Sequence, residues 1–217
     1  MKEIEILKKI IACRLVFFDF DGVIKESVKL KGDAFETLFL SYGDIVVNRI
    51  RAHHNLNGGI SRFEKIPLYM KWAGIDVTKE NINEFLFNFS SIVKNKVVKS
   101  NWAPGVQRFI KRDLQNNDLY LITATPQLEI EEILEEIELR EFFTEVIGSP
   151  LSKAKSIARI IKKQNINSHD AIMIGDSISD MEAAERNSIG FVLRKTIYNE
   201  NLQKIPNLDI VETFVYE

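Results

Sequence analysis

The chain has 217 residues, of which 45% are hydrophobic and 28% are charged, and its net charge is −2. This composition is ordinary for a globular protein, and so small a net charge excludes a general attraction to nucleic acid or anionic lipid. No apolar run approaches the roughly 18–20 residues of a membrane span, and the charged N-terminus lacks a signal-peptide core. The single cysteine, Cys13, excludes an internal disulfide. We expect a cytoplasmic protein without nucleic-acid or membrane partners and with no evident protein partner.

The first distinctive element is an apolar run that ends in two aspartates. Residues 16–18 (Val-Phe-Phe) predict a strand buried on both faces, and Asp19, Asp21 and Gly22 follow it. Because residues i and i+2 of a strand point to the same side, the two carboxylates should project together. Placing two carboxylates together costs free energy through repulsion and desolvation. A bound cation would explain why the protein accepts this cost, as would chemistry that needs one group ionised and the other protonated.

The next 70 residues have helical patterning and few strand signals. Apolar residues recur at helical spacing from about residue 28 to residue 98, and glycines at 58, 59 and 74 interrupt them. We therefore predict an all-helical domain at 28–98, inserted into a core domain formed by 1–27 and 99–217.

From about residue 104 onward, segments with strand patterning alternate with segments that have helical patterning. Strands are predicted at 118–124, 143–147, 171–174, 190–193 and about 208–211, with helices at 106–114, 128–137, 153–163 and 177–186. Such alternation is typical of an α/β fold with a parallel, Rossmann-like sheet. The acidic run 129–138 is expected to be the solvent-facing side of its helix.

Further polar residues lie at predicted strand ends, where open α/β sheets place their sites. Thr123 could bind an anion with the following helix N-terminus, or could simply cap that helix. Lys153 begins a helix, where a lysine opposes the helix dipole, although a solvated surface lysine is the simpler interpretation. Asp176 follows a buried strand and Asp180 lies one turn later, with Asp176 or Ser177 as the helix cap.

Together these residues indicate phosphoryl chemistry. Carboxylates at several strand ends make an oxygen-rich site suited to Mg²⁺, while a hydroxyl and a lysine suit phosphate oxygens. Aspartate is also a competent nucleophile at phosphorus and forms an aspartyl-phosphate. The sequence has neither a His/Cys cluster for zinc nor a glycine-rich nucleotide loop.

The four motifs Asp19-Phe-Asp-Gly, Thr123, Lys153 and Gly175-Asp-Ser-Ile-Ser-Asp, in this order, resemble those of the haloacid dehalogenase superfamily. The loop at 57–64 (Asn-Gly-Gly-Ile-Ser-Arg-Phe-Glu) is similar to the cap loop of its phosphoglycolate phosphatase and β-phosphoglucomutase branch. The resemblance implies a Rossmann-like core with a small helical cap and a small phosphorylated substrate.

The resemblance also implies catalytic roles. Asp19 would be the nucleophile, and Asp21 the general acid that protonates the leaving oxygen and then activates water. Thr123 and Lys153 would bind the phosphoryl group, with Lys155 as a second candidate for the lysine. Since haloacid dehalogenases lack the second aspartate, Asp21 favours phosphoryl transfer over dehalogenation.

Metal and substrate residues follow from the same resemblance. The Mg²⁺ ligands would be Asp19, Asp176 and the backbone carbonyl of Asp21, with Asp180 in support. The substrate-binding residues would be Gly22, Lys31, Gly59, Arg62 and Ala124. Arg62 would hold a second anionic group of the substrate, and a solvated arginine is its alternative.

We predict a Mg²⁺-dependent phosphatase for a sugar phosphate or phosphorylated acid. A phosphomutase is the alternative, which is weakened because Lys31 stands near the hinge where the mutase branch carries a histidine. A non-catalytic binding protein of the same fold is a third hypothesis. His53 and His54 point about 100° apart on a helix and cannot easily share a metal, so a structural or solvated role is favoured for them.

Overall fold

The computed structural model describes residues 2–216, and it contains six strands and nine helices within that range. The strands are β1 (Leu15–Phe18), β2 (Asp118–Pro126), β3 (Glu145–Ser149), β4 (Ala171–Gly175), β5 (Gly190–Arg194) and β6 (Asp209–Val211). The helices are α1 (Lys2–Ala12), α2 (Val28–Leu38), α3 (Asp44–Leu56), α4 (Arg62–Trp72), α5 (Lys79–Lys99), α6 (Val106–Arg108), α7 (Gln127–Glu136), α8 (Lys153–Gln164) and α9 (Ile178–Arg186).

The strands form one sheet in the order β3-β2-β1-β4-β5-β6, and neighbouring strands are parallel. All four residues of β1 are buried, as expected for the centre of a sheet that is covered on both faces. Because the strands are parallel, the carboxyl ends of β1, β2 and β4 lie side by side. The predicted α/β fold with a parallel sheet is confirmed.

Four helices, α2 to α5, are inserted between β1 and β2. Their aromatic side chains pack together, with Phe35 4.2 Å from Phe89 and 5.3 Å from Tyr69 between ring centroids. We call these helices the cap. Helix α5 continues to Lys99, so the predicted domain boundary at 98/99 falls in its last turn.

The two segments that join the cap to the core run side by side. Glu26 N–H donates to the Asn101 carbonyl at 2.8 Å, and Ala103 N–H donates to the Ile24 carbonyl at 3.0 Å. The Lys25 ammonium lies 4.2 Å from the centre of the Trp102 ring and donates to the Val98 carbonyl. These contacts couple the ends of the cap to each other beside the sheet.

Several predicted boundaries were wrong. The predicted helix at 106–114 is α-helical only to Arg108 and continues as a π-helical turn, Phe109–Asp113. The strand predicted from residue 143 begins at Glu145, because a 3₁₀ turn, Arg140–Phe142, precedes it. Helix α1 was not predicted, although its buried residues Ile6, Leu7 and Ile10 follow helical spacing. Within residues 2–216, no helix is both long and apolar enough to cross a membrane.

Candidate active site

Asp19 and Asp21 lie just beyond the carboxyl end of the central strand β1. The Asp19 carboxylate is 4% exposed; its Oδ1 accepts a 2.7 Å hydrogen bond from Phe20 N–H and its Oδ2 lies 2.8 Å from Lys153 Nζ. Burial, and then the negative charge of Asp180, raise the pKa of Asp19 to about 7, although Lys153 opposes the rise. Both aspartates line the same cavity at this edge of the sheet, although β1 ends at Phe18 and both lie beyond its last residue.

Lys153 lies between two carboxylates. Its ammonium donates to Asp180 Oδ1 at 2.6 Å and is 2.8 Å from Asp19, and the side chain is 9% exposed. Burial alone would lower the pKa of Lys153, but Asp180 and Asp19 outweigh it and raise the pKa. Lys155, the second candidate for the phosphate lysine, is exposed. The geometry therefore distinguishes the two lysines, since only Lys153 reaches the Asp19 carboxylate.

Asp180 is a supporting residue. Its Oδ1 accepts from Lys153, and its Oδ2 accepts from the backbone N–H and the hydroxyl of Ser177, the residue that precedes α9. Ser177 and Asp180 thus form a capping box at the helix start. A Cβ at Gly175 would lie 2.2 Å from Asp180 Cβ, so the glycine allows this close approach. Because both Asp180 oxygens already have partners, its main effect is to orient Lys153.

Asp176 completes a group of carboxylates that fits a divalent cation. One ligand atom each from Asp19, Asp176 and Asp180 lie within 4.8 Å of one another. Burial, and then the charges of Asp19 and Asp180, raise the pKa of Asp176 well above its ordinary value. A Cβ at Gly22, whose φ is +75°, would lie 2.2 Å from Asp176 Oδ2, so this glycine makes room for the carboxylate. Oxygen ligands at these distances suit Mg²⁺.

The end of β2 brings hydroxyl groups to the same place. Thr123 is 2% exposed, and its Oγ1 accepts a 3.2 Å hydrogen bond from Thr125 N–H. Strand β2 continues to Pro126, beyond the predicted end at residue 124. The longer strand places the Thr125 hydroxyl 3.3 Å from Asp21 Oδ2, a contact that the sequence pattern did not predict.

Lys31 reaches from cap helix α2 into the core. It forms an ion pair with Asp21 and donates to Thr125 Oγ1 at 2.7 Å. Burial would raise the pKa of Asp21, but the charge of Lys31 and the hydrogen bonds from Lys31 and Ser27 outweigh it and lower the pKa. In this arrangement Asp21 is ionised, and its negative charge is neutralised by the cap.

Arg62 begins helix α4 and is held by another carboxylate of the protein. Its guanidinium donates to both oxygens of Glu129, at 2.8 and 2.6 Å, and to the Ser90 hydroxyl at 2.8 Å. Arg62 and Glu129 are 4% and 8% exposed, so the expectation that the whole acidic run 129–138 faces solvent was wrong at its first residue. Arg62 lines the cavity as predicted for a substrate residue, but its charge is already neutralised from within the protein.

The Gly-rich loop before α4 closes over the start of α9. A Cβ at Gly59 would lie 2.0 Å from Ser179 Oγ and 2.5 Å from Ser177 Oγ. Cap and core are therefore in contact, and they enclose about 550 Å³ of empty space, partly open to solvent. The wall of this cavity includes Asp19, Asp21, Lys31, Arg62, Ala124 and Asp176.

A family model described as a haloacid dehalogenase-like hydrolase matches residues 16–193. The chain belongs to this family. The predicted family membership is confirmed, and the matched region spans β1 to β5 together with the inserted cap.

Curated relatives of this haloacid dehalogenase-like hydrolase include named phosphatases. A phosphorylated carbohydrates phosphatase of Thermotoga maritima is 28% identical over 78% of this chain and 79% of its own length. A phosphoglycolate phosphatase of Psychrobacter arcticus is 26% identical over 93% of this chain and 91% of its own length.

Solved structures share the fold. CbbY from Rhodobacter sphaeroides, in complex with xylulose-(1,5)bisphosphate, has a TM-score of 0.73 and 16% identity, with 93% of this chain and 95% of that chain covered. A predicted phosphoglycolate phosphatase from Haemophilus somnus has a TM-score of 0.72 and 18% identity, with coverages of 94% and 95%.

Sequence reasoning missed Lys65 at this hydrolase's cavity and did not place its neighbour His54 there. Lys65, on α4, is 1% exposed, and its ammonium lies 3.1 Å from Nδ1 of His54, on α3. His54, for which a structural or solvated role was favoured, is buried at the cavity wall, so it is not solvated. A signal for Lys65 was its spacing of three from Arg62, which places both side chains on one face of α4. His53 contacts Tyr69 Oη at 3.0 Å and lies among aromatic rings of the cap.

Proposed function

We propose that this chain is a Mg²⁺-dependent phosphatase that hydrolyses a small phosphorylated metabolite, a sugar phosphate or a phosphorylated acid. The family membership and the names of the curated relatives support hydrolysis of a phosphate ester. The observation that carries the proposal is the buried Lys153 ammonium, 2.8 Å from Asp19 and 2.6 Å from Asp180. The cluster of charges at this sheet edge, with two aspartates and a lysine around the nucleophile Asp19, is suited to a phosphoryl group once a cation offsets the carboxylates.

In the first step Asp19 attacks phosphorus, and the bond to the leaving oxygen breaks as an aspartyl-phosphate forms. Lys153 and the Thr123 hydroxyl bind the phosphoryl oxygens and offset their charge. Asp19, Asp176 and the Asp21 carbonyl would hold Mg²⁺, which would offset the negative charge of the reacting groups.

Asp21 supplies the leaving oxygen with a proton and then takes one from the water that attacks phosphorus, as the bond between Asp19 and phosphorus breaks and inorganic phosphate is released. Burial alone would raise the pKa of Asp21, but in the present arrangement Lys31 outweighs burial and keeps this pKa low. If the Lys31 side chain moves from Asp21 to pair with the incoming phosphate, Asp21 can bind a proton. Lys31 thus links substrate binding to the protonation state of the acid.

Substitution of the nucleophile tests this function. We expect Asp19→Asn to lower turnover of 4-nitrophenyl phosphate by at least about 10³-fold, and EDTA to abolish wild-type turnover until Mg²⁺ is restored. Asp76→Asn, which removes an exposed carboxylate on the cap, is the matched control and should retain activity. Retained turnover in Asp19→Asn would exclude Asp19 as the nucleophile.

A panel of phosphorylated metabolites, scored by released phosphate, identifies the substrate class. The same panel tests the phosphomutase alternative, since a mutase would isomerise a hexose 1-phosphate without releasing phosphate. Absence of turnover across the panel with Mg²⁺ would favour the non-catalytic alternative. The cytoplasm remains our proposed location.

A further inference from the structure

Lys65 is a buried cation whose contacts within the described part of the chain do not include a carboxylate. Among residues 2–216, its ammonium has hydrogen-bonding contacts with His54 Nδ1 at 3.1 Å and the Gly58 carbonyl at 3.4 Å. It also lies 5.7 Å from the centre of the Phe35 ring. Since an unpaired charge in a protein interior is costly, stability alone does not explain a lysine at this position.

The other two cations of the cavity wall are already neutralised. Lys31 forms an ion pair with Asp21, and Arg62 donates two hydrogen bonds to the Glu129 carboxylate. Lys65 therefore gives the wall one positive charge that no contacting carboxylate of the described chain offsets. Of the more distant acidic groups that influence it, Asp21 is already paired, and Glu64 is exposed on the surface of α4.

His54 holds the Lys65 ammonium in place. Burial, and then the charges of Lys65 and Lys31, lower the pKa of His54 to about 3, so the ring is neutral and its Nδ1 accepts from the ammonium. The ring packs beside Phe35 at 5.2 Å between centroids, in space left by Gly32, where a Cβ would lie 3.3 Å away. His54 is thus a positioning residue for Lys65.

We propose that Lys65 is a specificity-determining residue that binds a second anionic group of the substrate, a carboxylate or a second phosphate, within the closed cavity. The inference rests on the proposed phosphatase function and deepens it, because it selects phosphorylated acids and bisphosphates over phosphates of neutral alcohols. It also assigns anion recognition to Lys65 in place of Arg62, whose charge Glu129 neutralises. Lys65 and the nucleophile Asp19 both line this cavity, which is the geometric basis for assigning them to one substrate.

The test compares two substrates that differ only at the end remote from phosphate. Phosphoglycolate carries a carboxylate, and 2-hydroxyethyl phosphate carries a hydroxyl of similar size. We expect Lys65→Met to raise KM for phosphoglycolate by about 30-fold, because it removes a buried charge partner, with little change in kcat. KM for 2-hydroxyethyl phosphate should change by less than about twofold. Lys71→Met, an exposed position on the same helix, is the matched control.

A sugar bisphosphate paired with its monophosphate distinguishes the two kinds of anion. A larger Lys65→Met effect on the bisphosphate pair indicates a phosphate at Lys65, and a larger effect on phosphoglycolate indicates a carboxylate; both results support the proposal. Equal losses for charged and neutral substrates, or no loss for either, would overturn it. If Lys65→Met fails to fold by circular dichroism, Lys65→Gln replaces it.

Failure of the proposed function is recognisable separately. A wild-type protein that does not hydrolyse any phosphate ester with Mg²⁺ contradicts the phosphatase assignment but leaves Lys65 testable by calorimetry. Phosphoglycolate should then bind about 30-fold more weakly to Lys65→Met than to the wild type. Equal affinities of the two proteins would refute the assignment of Lys65.

Discussion

Replacing Lys65 by methionine should stabilise the free protein. The ammonium is buried without a contacting carboxylate among the described residues, whereas methionine fills a similar volume without a charge. The substitution gives up the hydrogen bond to His54 but removes the cost of burying a cation. If Lys65 were retained only because it stabilises the fold, its replacement by methionine would instead destabilise the protein.

The size of the gain follows from the pKa of Lys65. Burial, and then the charge of Lys31, lower this pKa from 10.5 to about 7. At about 1.4 kcal/mol per pH unit, this lowering of the Lys65 pKa sets an upper bound of about 5 kcal/mol on the cost of burying the charged ammonium. Relaxation of the site and loss of the hydrogen bond reduce the expected gain to about 2 kcal/mol. For a chain of this length, that is about 4–8 °C in Tm.

The gain should also depend on pH. Between pH 7 and 10.5 the folded wild type binds fewer protons than the unfolded chain, so its stability rises with pH across this window. The advantage of Lys65→Met is therefore largest near or below pH 7 and small at high pH. Urea unfolding at pH 6.5 and 9.5 measures it, with Lys71→Met as the exposed control. A Lys65→Met protein less stable than the wild type at pH 6.5, or a gain equal at both pH values, would refute the reasoning.

Further substitutions test the glycine at the carboxylate cluster and the buried ion pair. Gly22→Ala adds a Cβ 2.2 Å from Asp176 Oδ2 and should raise the Mg²⁺ concentration for half-maximal activity by about tenfold. Gly74→Ala is the control, because Gly74 is also at positive φ but its added Cβ would have no described non-neighbouring atom within 4 Å. This control should leave the Mg²⁺ requirement unchanged. Arg62→Met and Glu129→Gln should each destabilise the protein by about 3 kcal/mol, and the double variant by clearly less than the sum, in urea unfolding. Additive losses would show that the pair is not coupled.

The core of the site was predictable because local signals mark strand ends. Asp19, Asp176 and Lys153 each follow a strand or begin a helix, and a parallel sheet brings such positions to one edge. The strand pattern did not predict Thr125, because β2 continues past the point where its apolar run stops. Pairing of Pro126 with Ser149 on β3 extends β2 beyond its own apolar pattern.

The cap side of the site was less predictable, because its burial depends on distant partners. Glu129 belongs to an acidic run that predicts solvent exposure, but it is buried at a position where Arg62, 67 positions away, and Ser90 contact its carboxylate. Lys65 likewise lies inside because His54 and the loop carbonyl of Gly58 surround its ammonium. Helical periodicity identifies the apolar face that packs, but it does not show which polar positions are covered by a second domain.

The two buried cations of α4 should therefore respond in opposite ways to neutralisation. Arg62 has an internal counter-ion, so its removal leaves Glu129 buried and unpaired and the protein loses stability. Lys65 has no counter-ion in contact among residues 2–216, so its removal relieves a cost and the protein gains stability while losing discrimination for a second anionic group. Fixed hydrogen bonding explains Arg62 without a ligand, whereas Lys65 needs an anion from outside the described chain. That difference makes Lys65, three residues further along the same helix face, the better indicator of what this hydrolase binds.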